Sequence, residues 1–74
     1  MQRYNINSII DSMFDFPFSD ELLRGLIIRL RSELTLENIQ SVRTYMNDTL
    51  DIPYNTKHHI KIRLDLLEDA TILH

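Results

Sequence analysis

The residues best suited to chemistry are the three histidines, and their spacing removes most of the chemistry. His58 and His59 are adjacent in "TKHHIK", and His74 stands apart from them. On a helix, neighbouring side chains point about 100° apart, so this pair cannot grip one ion together. The metalloprotease pattern H-E-x-x-H is absent. With no cysteine in the chain, disulfides and thiolate zinc sites are excluded. The carboxylates are scattered: Glu68 and Asp69 close the last predicted helix, and no acid faces another acid as a general acid/base pair requires. Serines and threonines fall mostly at predicted caps or on exposed faces. Gly25 is the single glycine, so no glycine-rich loop can cradle a phosphate. The expectation is a non-enzymatic protein with no metal, no cofactor and no small-molecule substrate.

Size and charge narrow the remaining classes. A chain of 74 residues makes one domain, 1–74. Folding at that length buries only roughly 60% of the unfolded surface. Packing or a partner chain must then supply what disulfides cannot. Hydrophobic residues make up 43% of the chain, which is globular rather than disordered composition. The net charge of −3 argues against nonspecific nucleic-acid affinity, which draws on a basic excess. No apolar run approaches the ~20 residues of a membrane span. The stretch Met-Gln-Arg-Tyr-Asn-Ile-Asn lacks the apolar core of a signal peptide, so a cytoplasmic protein is expected.

The elements follow from periodicity and caps. Ile6, Ile9, Ile10, Met13 and Phe14 share one helical face, over about 6–15. Asn5 or Asn7 can cap that helix, and Pro17 limits its end. "FDFPF" reads as an extended connector whose aromatics cover the core. Ser19 is the expected cap of a second helix, about 20–33, with Phe18 and Leu23 as its hydrophobic staple. Leu22, Leu23, Leu26, Ile27, Leu30 and Leu34 form its apolar arc of about 140°. Thr35 caps a third helix, about 36–50, stapled by Leu34 and Ile39. That helix is expected to bury Leu36, Ile39, Val42, Met46 and Leu50, with Tyr45 at the margin. A link of about two residues makes the second and third helices packed neighbours.

The last segment has two periods at once. "HHIKIRLDLL" alternates polar and apolar as a half-buried strand does. Read on through "EDATIL", it fits a helix over about 56–70, capped by Asn55 or Asp51, and helix is the favoured reading. Ile60, Leu64, Leu67 and Ala70 form one stripe; Ile62, Leu66 and Leu73 form another about 120° away. The predicted fold is therefore all-α, a compact bundle of three to four short helices.

Two surfaces are candidates for binding a protein. On the second helix, Gly25 and Ser32 leave room beside Ile28, with Arg24 and Arg31 at its flanks. On the last helix, Ile62 and Leu66 form the surplus stripe, with Arg63 between the two stripes. Small chains with surplus apolar surface commonly form C₂ dimers. The expectation is a small regulator or antagonist acting through helix-mediated binding to itself or to a larger protein, as fits a host regulator or a phage or mobile-element protein. The alternative is a helix-turn-helix-like DNA-binding regulator. Its third helix would offer Asn38, Gln40, Ser41, Arg43, Thr44 and Asn47 to base edges, with Lys57 and Lys61 on phosphates.

Over about residues 20–71 the order of a Leu-rich helix, a short turn, the "ENIQ" helix and a Leu-rich last helix resembles that of small enterobacterial biofilm and connector proteins. The resemblance lies in apolar spacing, and it implies a helical dimer acting on a regulator.

Overall fold

A computed structural model describes residues 5–15 and 18–72. Four helices follow one another: α1 Ile6–Ser12, α2 Glu21–Ser32, α3 Leu36–Asp48 and α4 Tyr54–Ile72. The ambiguous segment is helical throughout and is the middle of the longest element. Phe16, Pro17, Leu73 and His74, to which the sequence assigned roles, lie outside the described residues.

Local chemistry explains the starts. Asn5, Asp20 and Thr35 are extended residues whose side chains accept from the backbone N–H three positions on, at Ser8, Leu23 and Asn38. Each side chain satisfies one donor that a helix start leaves open. The cap of α2 is thus Asp20 and not Ser19. Phe18 therefore has a different companion from the expected Leu23. The Arg24 guanidinium lies over the Phe18 ring at 5.4 Å and over Phe14 at 5.5 Å, and the two rings are stacked. Leu23 is free to point fully into the core. At α4 the chain enters from Pro53, whose carbonyl accepts from Lys57 N, and Asn55 lies inside the first turn. Pro53 fixes φ and stops nothing at that position.

The helices run alternately up and down. Phe14 meets Arg24 while Asp11 meets Arg31, so α1 is antiparallel to α2. Tyr45 reaches Asp20 while Asn38 reaches Glu33, which makes α3 antiparallel to α2. α3 packs on α4 at the other side, and α1 spans from α2 to α4. Ile10, Met13, Leu23, Ile27, Leu30, Ile39, Val42, Met46, Ile52, Ile60, Leu64 and Leu67 are the buried apolar side chains. Full burial of such a side chain contributes about 1.5–3 kcal/mol.

Three expected core residues are outside it. Leu50 is 90% exposed because α3 ends at Asp48 and Thr49 turns extended, so the helical register does not carry on to residue 50. Leu36 is the first residue of α3 and is 43% exposed, although it shares a helix face with the buried Ile39. Leu22 is 67% exposed at the edge of the α2 arc. That arc is wider than the two neighbours of α2 can cover. Ile52 and Thr56, buried at the α3–α4 corner, were not anticipated.

Gly25 sits on the outer side of α2, and a Cβ built there meets nothing within 4 Å. Gly25→Ala is therefore expected to raise monomer stability by about 0.5–1 kcal/mol in urea unfolding, the usual gain for a helical glycine. An unchanged or lower midpoint would show that another backbone occupies the space beside it.

Candidate functional site

The two candidate protein-binding patches border α1 from opposite sides. On α2, Ile28 is 52% exposed and has Arg24 and Arg31 as its neighbours four before and three after. Both arginines reach toward α1. Arg24 covers Phe14, and Arg31 forms an ion pair with Asp11 at 2.8 Å. Gly25 and Ser32 are exposed beside them. On α4, Ile62 is 44% exposed and Leu66 is half-buried one turn on. Their neighbours His59 and Arg63 also reach α1. The His59 Nε2–H donates to the Ser12 carbonyl at 2.6 Å, which fixes the ring proton on Nε2. Arg63 Nε donates to Ser12 Oγ at 2.6 Å and its Nη1 to the His59 carbonyl. Arg63, taken from the sequence as a contact residue, is thus part of the clasp between α1 and α4.

The residues proposed for DNA are divided among three places. Asn38, Ser41 and Arg43 bond within the chain. Asn38 donates to the Glu33 carbonyl, Ser41 to the Glu37 carbonyl, and Arg43 to Asp65 and Glu68. Burial pulls the Arg43 pKa down, but its bonds to Glu68 and Asp65 more than reverse this, so the guanidinium stays charged. With only 19% of its side chain exposed, Arg43 ties α3 to α4 and does not point out of the bundle. Gln40, Ser41 and Thr44 line a shallow groove between α2 and α3, over Leu22, Leu26 and Tyr45, with Glu37 and Asp48 in the same groove. Asn47, Lys57 and Lys61 come together at the α3–α4 corner with Met46, Tyr54 and His58.

No protein-family model, no curated protein and no solved structure matches the chain.

Among the described residues no three of His, Asp and Glu converge on one point, and no helix is long and apolar enough to cross a membrane. One polar pair was missed by sequence reasoning. The Tyr45 hydroxyl donates to the Asp20 carboxylate, 2.7 and 2.6 Å from its two oxygens. The sequence pattern puts Tyr45 at the α3 margin, and only the antiparallel packing brings it against the α2 cap.

This pair ties stability to pH at both ends. The bond from Tyr45, helped by Leu23 N–H, lowers the Asp20 pKa from 3.8. The same bond, with partial desolvation, raises the Tyr45 pKa from 10.0. The lowered carboxyl stabilises above its unfolded value and loses that contribution as pH falls through the folded one. The raised phenol stabilises below its unfolded value and loses that contribution as pH rises through the folded one. Tyr45→Phe is therefore expected to lower the urea midpoint most near neutral pH, with the gap to wild type closing below about pH 4 and above about pH 10. A gap independent of pH would mean that the pair contributes packing alone.

Proposed function

We propose that the chain is a non-enzymatic regulatory or antagonist protein that acts by helix-mediated protein binding, with a homodimer as one of its forms. The observation that carries this reading is the placement of Ile28 and Ile62. The core is closed by one stripe of α4, and Ile28 of α2 and Ile62 of α4 remain outside it, each beside residues that reach toward the α1 segment. At the rim Arg24 lies over Phe14 and Phe18 and Arg31 pairs with Asp11, and side chains already ordered cost less to fix on binding. Apolar centres with arginine at their edges are typical of protein interfaces. A protein of this kind would need no pocket and no cofactor, since its output is occupancy of a partner's surface.

The best probes are Ile28→Asp and Ile62→Asp, because both side chains are exposed and neither change opens a core cavity. Leu66→Asp is a poorer one, since Leu66 is half-buried. Each substitution should reduce the molar mass in light scattering toward the 8.8 kDa of one chain, and should weaken capture of a native partner by about tenfold or more. Far-ultraviolet circular dichroism should stay as in the wild type. If both variants keep the wild-type mass and the wild-type capture, this surface is not the interface.

A further inference from the structure

The corner between the end of α3 and the first two turns of α4 holds a second, chemically different site. Met46 and Asn47 from α3 meet Tyr54, Lys57, His58 and Lys61 from α4 around a recess of about 170 Å³. The Tyr54 and His58 rings are stacked, with centroids 6.1 Å apart and planes 12° apart. No carboxylate lines the recess. The nearest acid along α4, Asp65, is turned to Arg43. Among the described residues no carboxylate pairs with Lys57 or Lys61. Two unneutralised cations on successive turns of one helix repel each other. An anion seated between them removes that repulsion.

We infer that this recess binds an acidic segment of a partner protein, with a carboxylate seated between Lys57 and Lys61 and an adjoining side chain against the exposed Tyr54 ring. Asn47 supplies an amide for the segment's backbone. Size and charge favour this occupant over nucleic acid. The recess is below the about 300 Å³ typical of small-molecule sites and fits one anionic group. A polyphosphate strand needs cations along several nucleotides, whereas this chain offers two lysines on a net charge of −3. The inference rests on the protein-binding reading above and names the chemistry of a partner.

The test is fluorescence anisotropy on the full chain with a fluorescein-labelled peptide of alternating Glu and Gly around a central Phe. Saturable binding at low salt is expected, weakening as salt rises. Lys57→Glu and Lys61→Glu should each weaken it by about tenfold, and Tyr54→Ala should weaken it less. Arg29→Glu makes the same charge change on the exposed side of α2 and should leave it unaltered. Absence of saturable binding, equal weakening by Arg29→Glu, or binding of an oligothymidylate in place of the peptide would each overturn the inference. The readout is separate from that of Ile28 and Ile62. Lys57→Glu should leave the molar mass unchanged, so either site can fail without the other.

Discussion

The fold depends on holding α1 in place. Seven residues are too few for a helix to persist alone in water. Yet α1 and the turn after it deliver Ile10 and Met13, both fully buried, to the core. Polar contacts on both sides keep it there. Asp11 pairs with Arg31 of α2, and Ser12 is gripped by His59 and Arg63 of α4. The Ser12 contacts use the end of α1, where the Ser12 carbonyl accepts from Asp15 N–H of the following turn and also from His59. Ser12 Oγ accepts from Arg63 and donates to the Ile9 carbonyl, so one hydroxyl links the helix end to the bundle in both directions.

The same constraint shapes the surface. Arg31, His59 and Arg63 contact α1 and Arg24 contacts Phe14 and Phe18 after it, so the cations that flank Ile28 and Ile62 already have partners within the chain. Arg43 is committed to Asp65 and Glu68 between α3 and α4. Among the described residues Lys57 and Lys61, like Arg29, have no carboxylate partner, and these two share the corner of α3 and α4. A chain of net negative charge therefore presents one apolar face rimmed by arginine and one small basic recess. These are the two surfaces on which the proposed protein contacts rest.

Much of this was legible in the sequence because local chemistry dominates helices. Thr35 announced its cap, Asn5 was one of two candidates with Asn7, and the stripe Ile60–Leu64–Leu67 announced the buried face of α4 despite the strand-like alternation. The alternation is real, but it comes from a helix with one stripe in the core and another outside it. The errors lie where local rules have two solutions. Ser19 and Asp20 are both good caps, and the choice is made by Tyr45 reaching Asp20 from α3. Leu22, Leu36 and Leu50 have the right residue type for a core, and only the ends and crossings of the helices leave them out. The Ser12 clasp and the Lys57–Lys61 recess join residues distant in sequence. No periodicity reports such contacts. Arg63 and Arg43 were singled out as available cations for the same reason, since their intramolecular partners are tertiary.

The central claim is that the core is complete without Ile28 and Ile62 and that these two side chains serve association. Methyl relaxation by a soluble paramagnetic agent, followed over a dilution series, tests it most directly. At low concentration the Ile28 and Ile62 methyls should relax strongly, while those of Ile10, Ile27, Ile39 and Ile60 stay protected. As the concentration rises, Ile28 and Ile62 should become protected too. Protection of Ile28 and Ile62 at every dilution would contradict the partition of the core, and strong relaxation at every concentration would contradict the proposed self-association.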